Sequence, residues 1–175
     1  MTKRITEEEV EKLYDVYQTP PHVISHCKAV AKVAVRLASE LNRHGYQLDL
    51  DLIKGAGLSH DVARTEEEHW LIGCKALEKL GYHDEAEIVR VHMFYSFLHA
   101  VNALDETDLV CLGDRLVKED RYVGLDERIA YILDKAPKDP EVRKRILEKK
   151  EETRKLLDKI ENVIGTKIDQ LFAGE

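Results

Sequence analysis

The apolar residues of this chain recur at intervals of three and four, and that spacing limits the fold more than any other feature. The strict alternation that a half-buried strand needs is nearly absent. With 9 glycines and 4 prolines in 175 residues, little interrupts a helix. The pattern predicts an all-α chain. Helices are expected over Glu7–Tyr17, Pro21–Arg43, Leu50–Asp61, Thr65–Leu80, Asp84–Met93, Glu106–Lys118, Leu125–Leu133 and Glu141–Ile164. Their stops are Thr19-Pro20, His44-Gly45, Gly81 and Ala136-Pro137, and Thr65-Glu66-Glu67-Glu68 reads as a capped, acid-rich start. The Tyr95–Leu104 stretch reads as irregular. Residues 1–136 are expected to form one domain and residues 137–175 a helical extension. Val142, Ile146, Leu157, Ile160 and Ile164, with Thr153 among them, make a narrow stripe on the long last helix. That stripe could pack on the domain or pair with a second copy in a homodimer.

Composition narrows the function classes. A net charge of −7 argues against broad binding to polymeric nucleic acid, while leaving room for a small anionic ligand at a local positive site. No apolar run reaches membrane-spanning length, and no apolar stretch follows the charged Met-Thr-Lys-Arg start, so a cytoplasmic protein without a membrane role is expected. Cys27, Cys74 and Cys111 are odd in number and far apart, which suits reduced buried thiols.

Several polar residues lie on apolar rows. Val30, Val33 and Leu37 follow His26 at +4, +7 and +11, and His60 follows Ile53, Ala56 and Gly57. His69 shares its row with Ile72, Gly73, Ala76 and Leu80, His92 follows Ile88, and Asp114 follows Val110 and Cys111. Taken singly, each histidine reads as a core residue satisfied by a backbone carbonyl, and Asp114 as a cap or a partner of Arg115. Taken together, several imidazoles and two carboxylates buried without a shared partner would be costly. A divalent metal bound by nitrogen and oxygen is such a partner. Periodicity does not show that these residues meet.

His26, then His60-Asp61, then Asp114 resemble the H…HD…D signature of the HD superfamily of metal-dependent phosphohydrolases, over roughly residues 20–135. Leu58-Ser-His-Asp-Val-Ala-Arg64 is similar to the LLHDIGK or LLHDIAR segment of its small stand-alone HDIG-type branch. His69-Trp-Leu-Ile-Gly-Cys-Lys-Ala-Leu77, Ile88-Val-Arg-Val-His92 and Leu112-Gly-Asp-Arg-Leu-Val117 resemble that branch's following segments. The resemblance implies an HD-domain helical bundle. It implies that His26, His60, Asp61 and Asp114 hold one metal, and that His69 and His92 complete a second site bridged by Asp61. One or two divalent ions per chain follow, iron or manganese foremost, with magnesium, nickel, cobalt and zinc as alternatives. Many binuclear members have a further histidine where this chain has Met93, which leaves the second site one ligand short unless His99, water or substrate fills it.

The implied reaction is attack of a metal-bound water on a phosphoester of a small nucleotide or phosphorylated metabolite, by a phosphomonoesterase or phosphodiesterase. Asp61 would orient the nucleophile, and Arg64 would neutralise phosphate or else pair with Glu66–Glu68. Arg115, Lys118 and Arg121 form a basic cluster from which Arg115 and Lys118 are expected to bind substrate. His22 stands at the entrance or on the surface, and Glu67 or Glu68 would accept a proton or be solvated. No Gly-Tyr-Pro element follows the HD pair, which disfavours cyclic-di-GMP hydrolysis. Arg64-Thr65 stand where guanosine tetraphosphate hydrolases have Glu-Asp. The alternatives are a catalytically silent HD-fold module that binds a nucleotide or a protein, and a plain helical scaffold without metal.

Overall fold

Helix α2 (Pro21–Arg43) is the axis on which the other elements assemble. Pro21 at its first position fixes the entering backbone without losing a needed hydrogen bond. Val30, Ala34, Leu37, Ala38 and Leu41 then run along it fully buried. The computed structural model describes residues 2–175. Before α2 lies α1 (Glu7–Tyr17), opened by a capping box between Thr6 and Glu9. After it come α3 (Leu50–Ser59), α4 (His69–Lys79), α5 (His83–Val91) and α6 (Glu106–Asp114). A short antiparallel hairpin, β1 (Val117–Lys118) and β2 (Arg121–Tyr122), leads to α7 (Leu125–Lys135), α8 (Pro140–Ile164) and α9 (Ile168–Leu171). The fold is all-α, with the hairpin as its only sheet among the described residues.

Small residues let α3 and α6 press against α2. A Cβ on Gly57 would lie 2.8 Å from the Ala31 Cα, and one on Gly113 would lie 3.1 Å from both the Ala34 Cβ and the Val30 carbonyl. Both glycines sit within a turn of a candidate ligand, Gly57 before His60 and Gly113 before Asp114. The close approach therefore carries those ligands towards His26 on the same face of α2.

Two expected boundaries differ by about a turn. The helix expected from Thr65 begins at His69, and residues 60–68 form successive turns that end with Glu68 in the left-handed region at φ 51°. An uninterrupted helix would hold His69 in phase with Thr65, whereas the turn brings it back over Asp61. The helix expected to reach Lys118 stops at Asp114. There the buried Leu116 takes up the hairpin exit, its carbonyl accepting from the N–H groups of Val123 and Gly124. Helix α9 was not expected at all.

The far half of α8 is core. Leu156, Leu157, Ile160 and Ile164 bury in the same cluster as the α2 row, joined by Ile168 and Phe172. Asp139 caps the start of α8 by accepting from the Glu141 and Val142 N–H groups, and Gly165 ends it at φ 73°. No helix among the described residues is long and apolar enough to cross a membrane.

Candidate metal centre

Six side chains from five helices converge. His26 comes from α2, His60 and Asp61 from the exit of α3, His69 from the first position of α4, His92 from the residue after α5, and Asp114 from the last residue of α6. They form two triads. His26, His60 and Asp114 each offer a ligand atom within 4.8 Å of the others, as do Asp61, His69 and His92. Asp61 lies between the triads: its Oδ1 is 3.0 Å from His69 Nε2 and 3.3 Å from His92 Nε2, while its Oδ2 is 3.6 Å from His60 Nε2. Asp114 Oδ1 is 2.9 Å from His26 Nε2 and 3.7 Å from His60 Nε2.

The backbone decides which way three of the rings face. His60 Nδ1 donates to the Gly57 carbonyl at 2.7 Å, His92 Nδ1 to the Val89 carbonyl at 2.6 Å, and His26 Nδ1 to the Glu119 carbonyl at 2.8 Å. A carbonyl only accepts, so each Nδ1 carries a proton, and each ring in its neutral form aims an Nε2 lone pair into the cluster. Such outer hydrogen bonds are how metal-binding histidines are oriented. His69 differs, because its Nδ1 has only the Arg64 guanidinium at 3.5 Å, too long to be a strong bond.

The buried Nε2 atoms of His60, His69 and His92 have no hydrogen-bond partner. Leaving a buried polar atom unpaired costs about 1–3 kcal/mol. His26 Nε2 lies 2.9 Å from Asp114 Oδ1, within hydrogen-bond distance of that carboxylate. A divalent cation held by either triad would engage such atoms, and an imidazole–carboxylate set suits such a cation. The residues present therefore fit the metal. Burial opposes the charge on Asp61 and Asp114, yet the surrounding histidines outweigh it and hold both carboxyls well below the usual range. Burial likewise opposes the charged form of His60, but Asp61, Cys27 and Asp114 raise its pKa well above that of an ordinary histidine.

The model of the HD domain family matches residues 23–170, which is most of the chain. The chain belongs to the HD domain family. Its eponymous pair is His60-Asp61, and the family is one of metal-dependent hydrolases in general, binding divalent ions. The chain is also 32% identical over 71 residues to an uncharacterized protein of Methanocaldococcus jannaschii. That match covers 39% of this chain and 42% of the relative, so the chain spans less than half the length of the relative it matches. No solved structure matches the chain significantly.

This HD domain opens beside its donors into a cavity of about 450 Å³. His22, His26, Asp61, Arg64 and Glu119 line one part of it, and Arg128, Tyr131, Ile132 and Lys135 of α7 another. Arg64 is close to the donors, its Nε 3.8 Å from Asp61 Oδ2, and it makes no ion pair with Glu66, Glu67 or Glu68 among the described residues. Those three glutamates are exposed and off the cavity.

The other expected contacts fall elsewhere. Arg115 does not line the cavity: it donates to the Tyr95 carbonyl at 2.6 Å and to Thr153 Oγ1 at 3.1 Å, with its guanidinium over the Phe97 ring. Lys118 is absent from the lining too, its Nζ lying 3.7 Å from Glu127. His99 does not complete the second triad. Its Nδ1 donates to Asp108 Oδ2 at 2.7 Å in a separate cluster with Asp105 at the start of α6. Met93 is 41% exposed and supplies no nitrogen donor there.

Sequence reasoning missed the inner face of α7 and one backbone carbonyl. Arg128, Tyr131 and Lys135 line the cavity, and their spacing on α7 marks them as one face. The Glu119 carbonyl that orients His26 had no sequence signal, because a backbone acceptor leaves none.

Proposed function

We propose that this HD-domain protein is a phosphohydrolase that cleaves a phosphoester of a small nucleotide or similar phosphorylated metabolite. One observation carries the reading: unpartnered buried Nε2 atoms and two carboxylates held ionised gather beside a cavity that Asp61 and Arg64 line. A bound divalent ion supplies Lewis acidity, both acidifying water and drawing charge from a phosphoryl oxygen. The chain's own residues do the positioning. Asp61 reaches both triads and borders the cavity, so it orients an attacking water beside the donors. Arg64 offers a guanidinium to the phosphoryl oxygens, whose charge it matches in a fork geometry. The buried rings of His60, His69 and His92 keep the donor cluster away from bulk water.

The finer proposal is a site for one or two ions, with iron or manganese foremost as the resemblance to the family implies. The HDIG-like segments support the HDIG-type branch. The deciding experiment measures metal content after anaerobic purification and turnover of p-nitrophenyl phosphate and bis-p-nitrophenyl phosphate, for wild type and Asp61→Ala. Turnover of one ester, lost together with metal in the variant, supports the reading and separates monoesterase from diesterase. Bound metal with no turnover of any phosphoester would instead leave a ligand-binding module.

A further inference from the structure

Helix α7 turns a basic face to the same cavity. Arg128, Tyr131, Ile132 and Lys135 recur at i, i+3, i+4 and i+7, so they share one side of the helix, and all four line the cavity with Asp61 and Arg64. The Arg128 guanidinium carbon lies 5.7 Å from the Tyr131 ring centre and Lys135 Nζ lies 4.8 Å from it. Lys118 Nζ, from the hairpin, approaches the same ring at 5.1 Å. An aromatic face attracts cations, but three around one ring repel each other.

The nearby acids leave Arg128 and Lys135 unpaired. Asp126 is held by Lys150 at 3.1 Å and Arg154 at 3.3 Å on α8, and Glu127 is engaged with Lys118 at 3.7 Å. Arg128 and Lys135 have no ion-pair partner among the described residues, and the buried Nε of Arg128 has no hydrogen-bond acceptor. Glu119, the other acid on the cavity besides Asp61, is exposed at the turn of the hairpin. In a chain of net charge −7, two unpaired cations facing a cavity are a local feature and not a bulk excess. An anion in the cavity would relieve the repulsion between the unpaired Arg128 and Lys135.

Arg64 already stands beside Asp61 for a reacting phosphoryl group, whereas Arg128 and Lys135 sit on a different element. We propose that the α7 face binds a second, non-reacting phosphate, so that the favoured ligands are small organic molecules carrying two phosphate groups. The inference rests on the phosphohydrolase reading only for the fate of the first phosphate; the second is held whether or not the first is cleaved.

The test is calorimetric binding to the full-length, metal-free protein, so that turnover does not intervene. The probes are adenosine 5′-monophosphate, adenosine 5′-diphosphate and adenosine 3′,5′-bisphosphate. At least one doubly phosphorylated probe should bind about tenfold more tightly than the monophosphate, the scale of one or two charge-assisted hydrogen bonds. In the double variant R128Q/K135Q that ratio should fall below about twofold, with monophosphate affinity within about twofold of wild type. Equal binding of all three probes to wild type, or a preference retained in the double variant, would overturn the proposal. Thermal melting by circular dichroism checks the fold; if the double variant does not fold, K135Q at its exposed position carries the test, and an unchanged ratio there counts against the proposal. A preference that disappears in the variant, in a protein that hydrolyses no phosphoester, would sink the phosphohydrolase reading and leave the second-phosphate site standing.

Discussion

Asp61 Oδ1 lies 3.0 Å from His69 Nε2, across a turn that the chain makes in order to return α4 over the end of α3. The same carboxylate directs its other oxygen to His60 at 3.6 Å, so a member of one triad reaches the other. Asp61→Ala should therefore abolish metal retention altogether, whereas His92→Ala should spare the triad of His26, His60 and Asp114. Removing even an outer partner of a metal ligand costs about 10–100-fold in affinity, so losing a shared ligand should exceed that range. Elemental analysis after reconstitution and dialysis checks it. If Asp61→Ala keeps the wild-type metal content, Asp61 does not bridge the triads.

Gly57→Ala tests the close approach that sets the centre. The new Cβ would meet the Ala31 Cα at 2.8 Å, and backbone cannot yield as a flexible side chain does. Overpacking of this kind costs about 1–3 kcal/mol. For a chain of this size each kcal/mol lowers Tm by about 2–4 °C. The Gly57 carbonyl also holds His60 Nδ1, so metal affinity should fall with stability. A variant with unchanged Tm and unchanged metal content would show that α3 and α2 have room to spare.

The ligands on helical rows were legible because burial and period coincide. His26, His60, His92 and Asp114 each continue an apolar row, and a side chain on such a row has to face the core. The turn at residues 60–68 was not legible, since it depends on a glutamate adopting a left-handed backbone that such residues seldom visit. The hairpin was equally hidden. Glu119 takes φ 56° at its turn without the glycine or asparagine that would announce one, and the helical period of Val110 to Leu116 runs on into it. Arg115 shows a different limit. Its type and its place beside Asp114 suggested phosphate, but only tertiary packing decides that it reaches Tyr95 and Thr153 instead.

Acid stability should carry the signature of Glu9. A hydrogen bond from the Tyr82 hydroxyl, helped by the Thr6 N–H and hydroxyl, lowers its carboxyl to about 2 from an ordinary 4.5. The folded pKa lies below the unfolded one, so the stabilisation is fully present above about pH 4.5 and is lost as pH falls towards 2. Denaturant midpoints measured across that window should fall less steeply with acid in Glu9→Gln than in wild type. Other carboxylates contribute equally to both proteins and drop out of the difference. Parallel curves would remove Glu9 from the account of acid unfolding.

Arg64 and Arg115 should separate function from structure. Arg115 is largely enclosed, and its two bonds tie the 92–104 segment to α8, so Arg115→Ala leaves the Tyr95 carbonyl and Thr153 hydroxyl without that donor. Hydrogen bonds from a charged group contribute about 1.5–3 kcal/mol each, and a loss of about 3 kcal/mol of stability is expected. Phosphoester turnover by the folded fraction should change little. Arg64→Ala, at a half-exposed position on the cavity, should leave Tm within about 1–2 °C, as surface substitutions do. Its kcat/KM should drop by about 100-fold or more, the scale set by removing a preorganised partner of transition-state charge. Chemical denaturation and steady-state kinetics on the two variants make the comparison. If Arg115→Ala loses turnover without losing stability, the arginine that serves the substrate is Arg115, and the cavity beside Arg64 is not where phosphate sits.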